Sequence, residues 1–330
     1  MIVSLKEGAD AASVMRELTA RGLWVAQVEK AAEGATHYVI ASHSAPADPA
    51  DLARIEGISF VSAPSSAHPL VDKMSPAVDV GGVRVGKGAP PALMMGPCSV
   101  ESKESLRTMA ERLSARGVRF LRGGAFKPRT SPYAFQGHGV EALAWLREAA
   151  DATNMKVVTE ALSEVDLSAV AEHADLVQVG SRNMQNFALL KAVGRTKKPV
   201  LLKRAMAGTI EEWLSAGEYL LANGSPGVIF CERGVRGFDT TTRNVLDLGA
   251  VALLAHVLNL PVIVDPSHGT GRRDLVLPLA RAAFAAGASG VMIETHENPG
   301  RALSDGPQAI PLDQLCAAIP SLPGKDGGAS

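Results

Sequence analysis

The sequence predicts an α/β protein in two parts: a small ferredoxin-like α+β sandwich, then a (β/α)8 barrel. Three observations predict it. From Ala92 onward, short apolar runs alternate with helical stretches, eight times in succession. These runs lack the apolar–polar alternation of a half-exposed strand, as strands buried on both faces of a parallel sheet should. Before them, up to about Leu70, the chain reads β-α-β-β-α-β, the pattern of a ferredoxin-like sandwich. A doubly wound open sheet also satisfies the second part, although no reversal of strand order is visible in it.

The first part is expected to span residues 1–73. Ile2–Leu5 reads as a strand. Asp10–Arg21 reads as a helix with apolar Ala12, Val14, Met15 and Leu18, stopped by Gly22. Trp24–Val28 and His37–Ala41 alternate like paired strands. Pro49–Ile55 reads as a short helix and Ile58–Val61 as the last strand. His37, His43 and His68 are dispersed, so they form no metal site, which needs several ligands together. Ser62–Pro69 reads as a linker.

The second part, residues 74–330, opens with a β-hairpin: Val78–Val80 and Val83–Val85 around Gly81-Gly82. Those glycines do not have the spacing of a phosphate-binding loop. The eight barrel strands are Leu93–Pro97, Arg119–Arg122, Val157–Glu160, Leu176–Gly180, Val200–Lys203, Val228–Cys231, Val262–Asp265 and Val291–Glu294. Helices are expected over Lys103–Arg116, Val140–Ala152, Ser163–Glu172, Phe187–Val193, Ile210–Ala222, Asn244–Leu258 and Arg273–Ala286.

Composition narrows the function. The chain has 330 residues and is 46% hydrophobic, enough for one barrel and a small domain. Lys+Arg 33 against Asp+Glu 34 leaves a net charge of -1, which argues against a nucleic-acid partner. An aromatic content of 4% argues against a base-stacking surface. Cys98, Cys231 and Cys316 are too few and too scattered for a disulfide framework, so a reducing, cytoplasmic setting is expected. No signal peptide is visible, and no apolar run approaches the ~20 residues of a membrane span.

In a barrel the chemistry sits at the C-terminal ends of the strands. Here polar residues crowd those ends. Two subsets separate. Cys98, His268, Glu294 and Asp305 offer a thiolate, an imidazole and two carboxylates, a mixed set for one divalent metal. Each alone has a plainer reading: a small buried thiol, a hydrogen-bonding imidazole. Arg122, Lys127, Arg182, Lys203 and Arg233 would repel one another without anions, and so imply a substrate carrying several negative charges. Salt bridges to Glu160, Glu232 and Asp265 could absorb part of that charge. The stretch from Leu121 to Tyr133 interleaves Arg122, Lys127 and Arg129 with Gly123, Gly124, Pro128 and Pro132, which suits a rigid cradle for phosphate or carboxylate.

Gly96-Pro97-Cys98-Ser99, Lys127-Pro128-Arg129-Thr130, Asp265-Pro266-Ser267-His268 and Leu303-Ser304-Asp305-Gly306 resemble the 3-deoxy-D-arabino-heptulosonate 7-phosphate (DAHP) synthases. The likeness is to the type I-beta subgroup with an N-terminal ferredoxin-like domain, and it runs from about Val78 to the last residues. It implies condensation of phosphoenolpyruvate with erythrose 4-phosphate and water, releasing phosphate, at the head of the shikimate pathway. It implies one divalent ion per subunit (Mn, Fe, Co or Zn) on Cys98, His268, Glu294 and Asp305. Arg122, Lys127, Arg182, Lys203 and Arg233 would bind phosphoenolpyruvate, with Glu160 nearby. Arg129 and Thr130 would bind erythrose 4-phosphate, with Pro128 and Asp305 beside them. Lys127 is the candidate proton donor to the developing alkoxide. His268 and Cys98 enter the catalytic set through the metal. A covalent role for Cys98 is the rival, though no helper base accompanies it in sequence.

The resemblance also implies a homo-oligomer, tetramer or dimer. It suggests that the first domain is regulatory, with an aromatic amino acid effector and closure over the barrel mouth. A purely structural or oligomerising role is the alternative. The related 3-deoxy-D-manno-octulosonate 8-phosphate synthases use arabinose 5-phosphate and typically read Lys-Ala-Asn-Arg where this chain has Lys127-Pro128-Arg129-Thr130. A non-catalytic amino-acid sensor would have no reason to keep the intact metal and cation sets.

Overall fold

The computed structural model describes residues 1–30, 36–41, 43–63, 66–129 and 131–323. Its contacts divide the chain into two units, Met1–Ala67 and His68–Ser330.

In the first unit Asp10 caps a helix over Ala11–Ala20 by accepting from the Ala12 and Ser13 N–H groups. Strands Ile2–Leu5, Val25–Lys30, Thr36–Ile40 and Ile58–Ser62 form one antiparallel sheet in which the second pairs with the third, the third with the first and the first with the fourth. That order, with the helices Ala11–Ala20 and Pro49–Leu52, is consistent with a ferredoxin-like sandwich. Val3, Leu5, Val14, Leu18, Tyr38 and Ile58 form its core. The second helix ends at Leu52, one turn short of the expected Ile55. Of the expected linker, Ser62 ends a strand and Pro69 opens a short helix, Pro69–Asp72; residues 64 and 65 lie outside the described residues.

The second unit opens with the hairpin, Ala77–Val80 against Val83–Gly86. Gly81 and Gly82 both have positive φ, 58° and 85°, as a two-residue turn that follows the strand twist requires. Eight parallel strands follow: Ala92–Gly96, Phe120–Arg122, Lys156–Ala161, Leu176–Val179, Val200–Lys203, Val228–Glu232, Val262–Val264 and Gly290–His296. Each pairs with the next, and the eighth closes on the first through Ala92↔Gly290 to Gly96↔Glu294. The sheet is therefore a closed barrel rather than an open doubly wound one. Met94, Phe120, Val158, Leu201, Ile229, Ile263 and Met292 fill its interior, together with Val78, Val80 and Val85 of the hairpin. A second, larger cluster lies between strands and helices.

Two helices differ from expectation. The stretch expected to be helical from Asn244 begins at Leu248, because Asp247 rather than Asn244 caps it, accepting from Ala250 N at 2.9 Å. Val245 is instead bridged to Val235, and beyond Ala252 the helix widens into a π turn over Leu253–Val257. An eighth helix, Leu312–Ala318, went unread in the sequence because it is short and enters from a two-residue strand, Ile310–Pro311.

Candidate active site

The ends of three of the eight strands, the first, the seventh and the eighth, bring the predicted quartet together. The ligand atoms of Cys98, His268, Glu294 and Asp305 all lie within 4.8 Å of one another. Cys98 Sγ stands 3.3 Å from Asp305 Oδ2, and His268 Nε2 stands 3.2 Å from Glu294 Oε1 and 3.8 Å from Asp305 Oδ2. Such a cluster fits one small divalent ion, whose bonds to sulfur, nitrogen and oxygen run about 2.0–2.3 Å.

Local folding aims each group. His268 sits in a one-turn helix, Pro266–Thr270, capped by the fully buried Asp265. Asp265 Oδ1 accepts the His268 N–H at 3.0 Å and Oδ2 meets His268 Nδ1 at 2.6 Å, so Nε2 is left facing the other three groups. Glu294 lies near the end of the eighth strand with both oxygens held: Oε1 by Arg122 Nη1 at 2.9 Å and Oε2 by Gln308 Nε2 at 2.6 Å. The Asp305 Oδ1 atom accepts from Arg243 Nη2 at 3.1 Å.

Burial and the carboxylates Glu294 and Asp305 push the Cys98 thiol up to about 12, against the pull of Lys127 and Arg122. That is the reverse of an activated nucleophile. Burial also works against the Asp305 carboxylate, but His268 and Arg243 outweigh it and hold the group down at about 2. The same contest at Asp265 ends well below the usual carboxylate range, because His268 and Lys203 both press on it. Burial opposes the Lys127 ammonium too, yet Cys98 and Glu294 keep it above its ordinary value.

Beside the quartet lies a cavity of about 460 Å³. Lys127, Pro128, Arg129, Glu160, Arg182, Lys203, Arg233, His268 and Asp305 line it, as do Arg243 and Met206, which the sequence did not single out. Arg122 does not line it. Its guanidinium is buried against Glu294 and the Pro97 carbonyl oxygen, which it meets at 2.7 Å. Thr130 lies outside the described residues.

The charge balance of the cavity can be followed residue by residue. Lys203 Nζ is held by Asp265 Oδ2 at 2.5 Å. Glu232 is taken by Arg204, which also pairs with Asp247, so it neutralises none of the predicted cations. Glu160 bonds to the Gln178 amide at 2.7 Å rather than to a cation. It projects past Gly180, where a Cβ would stand 2.1 Å from Glu160 Oε1, so a larger residue there must displace the Glu160 carboxylate. Among the described residues, Arg129, Arg182 and Arg233 have no carboxylate within 4.0 Å. Burial pulls the Arg233 guanidinium below its ordinary value, and neighbouring Arg243 adds to this. The mouth is thus short of anions. Lys127 stands where metal site and cavity meet, 3.1 Å from Cys98 Sγ and 3.0 Å from the Cys98 carbonyl oxygen.

Arg243 and Gln308 were missed because neither stands at a strand end. Arg243 falls where the sequence suggested the start of a helix, and Gln308 lies in the return loop to Ile310.

Comparison with known proteins adds the following. A family model described as the DAHP synthetase I family matches residues 64–321. The phospho-2-dehydro-3-deoxyheptonate aldolase of Thermotoga maritima is 53% identical over 236 residues, 72% of this chain and 70% of that protein. A 2-dehydro-3-deoxyphosphooctonate aldolase of Brucella ovis is 33% identical over 264 residues, 74% of this chain and 94% of the other. The crystal structure of the Thermotoga maritima phospho-2-dehydro-3-deoxyheptonate aldolase (DAHP synthase) superposes with a TM-score of 0.75 at 42% identity, covering 97% of this chain and 95% of that one.

Proposed function

The chain belongs to the DAHP synthetase I family, and we infer from this that it is a DAHP synthase, an enzyme of aromatic amino acid biosynthesis that joins phosphoenolpyruvate to erythrose 4-phosphate and releases phosphate. One observation of the site carries the reading: Arg129, Arg182 and Arg233, free of carboxylates, line the cavity that Lys127, His268 and Asp305 also line. A substrate pair bearing two phosphates and a carboxylate supplies the missing anions. The octulosonate alternative rests on relatives at 33% identity, against 53% for the heptonate enzyme.

We assign the roles as follows. Arg182, Lys203 and Arg233 hold the carboxylate and phosphate of phosphoenolpyruvate. Arg122 supports that side from behind Glu294, and Glu160 lies beside it. Arg129 and Thr130 take the phosphate of erythrose 4-phosphate, with Pro128 and Asp305 against the sugar. One divalent ion on Cys98, His268, Glu294 and Asp305 would polarise the aldehyde oxygen. Bond formation between C3 of phosphoenolpyruvate and the aldehyde carbon leaves negative charge on that oxygen. Lys127, kept in its ammonium form by its surroundings, is placed to deliver the proton. Water then adds at C2, and the tetrahedral centre expels phosphate.

Phosphate release with erythrose 4-phosphate and with arabinose 5-phosphate, before and after chelation, tests this. Faster turnover of arabinose 5-phosphate, or full activity after complete metal removal, would sink it. The same reading carries a cytoplasmic homo-oligomer, dimer or tetramer, and a regulatory N-terminal unit that binds an aromatic amino acid. No described helix is long and apolar enough to cross a membrane. Titrating Tyr, Phe and Trp against the full chain and against a chain lacking residues 1–67 tests the regulation. Equal inhibition of both would rule out the regulatory role.

A further inference from the structure

The eighth strand ends at His296, and the chain returns to its edge at Ile310, which pairs with Thr295. Between them runs a loop whose two ends lie side by side and which carries Asp305. Loops lack ladder hydrogen bonds and by default hold their side chains loosely. This one does not. Each residue from Leu303 to Gly306 has a holder of its own. The Leu303 N–H donates to Glu101 Oε1 at 2.8 Å. The Ser304 hydroxyl meets the Ser99 hydroxyl at 2.6 Å, both side chains being buried. Asp305 is held by Arg243, and the Gly306 carbonyl oxygen accepts from Arg273 Nη2 at 2.8 Å. Asp305 itself has a φ of 47°, in the left-handed region that aspartate tolerates better than most residues.

Glu101 does more than hold Leu303. Its second oxygen lies 3.2 Å from His296 Nε2, and His296 Nδ1 accepts the Asn298 N–H at 3.0 Å. An imidazole that accepts at Nδ1 carries its proton on Nε2 and donates from there. One carboxylate therefore ties the root of the loop to its tip. Glu101 lies three residues beyond Cys98, in the connection that leads into helix Lys103–Ser114. Two members of the quartet are thus braced against each other by groups that belong to neither.

We propose that Glu101 is a positioning residue of the metal site: by tying His296 to Leu303 it pre-sets the Asp305 carboxylate for the ion. This rests on the reading of the quartet as a metal centre. Groups of this kind typically change metal affinity about 10–100-fold when removed.

The test uses the full-length, metal-free protein and Co²⁺ in competition with a chromophoric chelator, with the thiolate–cobalt absorption band as a second signal. Glu101→Ala is expected to bind Co²⁺ about 10–100-fold more weakly while keeping the band, because Cys98 still ligates. Glu101→Gln keeps an acceptor for the Leu303 N–H and is expected to lose less. Because Glu101 acts through Asp305, adding Glu101→Ala to Asp305→Ala should weaken Co²⁺ no further. Wild-type affinity in Glu101→Ala, an additive loss in the double variant, or a lower melting temperature with unchanged affinity would each overturn the proposal. Wild-type protein that takes up no Co²⁺ would overturn the metal reading itself, and the proposal with it.

Discussion

Asp265→Asn removes one buried charge that serves two sites at once. Asp265 Oδ2 takes both Lys203 Nζ, at 2.5 Å, and His268 Nδ1, at 2.6 Å, and none of the side chain is exposed. An asparagine amide has one oxygen and cannot neutralise either partner. Lys203, itself only 4% exposed, would be left as a buried ammonium without a counter-charge. Breaking a buried pair from one side costs about 3–5 kcal/mol. For a chain of this size that is a melting temperature lower by about 4–7 °C. The imidazole also loses the group that fixes its orientation, so divalent-metal affinity should fall about 10–100-fold. Differential scanning calorimetry of the metal-free protein reads the first effect, and chelator competition reads the second. Asp274→Asn is the comparator. It breaks an exposed pair with Arg272, 2.7 Å across, and should cost under about 1 kcal/mol. If Asp265→Asn melts within a degree or so of wild type, or binds metal as tightly, the account of Asp265 as a shared anchor is wrong.

Arg129→Ala removes a cavity-lining guanidinium that no carboxylate pairs with among the described residues, so it should raise the Michaelis constant for erythrose 4-phosphate about 10–100-fold and leave that for phosphoenolpyruvate nearly unchanged. The opposite ranking in steady-state assays would mean the substrates have been assigned to the wrong arginines. Gly180→Ala drives a Cβ to within 2.1 Å of Glu160 Oε1 and should cost about 1–3 kcal/mol in urea melts. In a Glu160→Ala background most of that cost should vanish, and an undiminished cost there would place the strain elsewhere. Asp247 supplies a pH test. Burial works against its carboxylate, but the Arg204 guanidinium and the Ala250 N–H outweigh it and hold the group below its ordinary 3.8. A depressed carboxylate stabilises the fold above its unfolded value, and that stability is lost as pH falls through the folded one. Asp247→Asn should therefore be less stable than wild type by about 1–2 kcal/mol at neutral pH. The gap in urea melts should narrow from about pH 5 downward, and a gap that widens with acid would refute the sign.

Much of this was legible in the sequence because a barrel turns one-dimensional order into position. Strands buried on both faces print as uninterrupted apolar runs, and whatever polar residue ends such a run must face the mouth. Cys98, His268, Glu294 and Asp265 could be found by that rule alone. What the rule could not reach were groups on the connections. Arg243 and Gln308 hold Asp305 and Glu294 from loops, where no periodicity assigns a direction. The helix expected from Asn244 starts at Leu248 because Asp247 caps it, and the sequence does not say which polar residue meets the first free N–H groups. Nor could spacing say that Arg122 would spend its charge on Glu294 rather than on the cavity.

That last point bears on how the centre works as a unit. Each carboxylate in and behind the quartet is shared: Glu294 with Arg122, Asp305 with Arg243, Asp265 with Lys203 and His268. Groups that would ligate or orient the ion therefore also hold the cations around the substrate cavity. The two functions share one set of negative charges in a largely buried region, where charge interactions are strong. Changes made on the metal side should then appear in phosphoenolpyruvate binding, and the reverse. Asp265→Asn is the sharpest case, since it touches one partner on each side. An Asp265→Asn protein that loses metal affinity but binds phosphoenolpyruvate as wild type does would show that the two halves are merely adjacent.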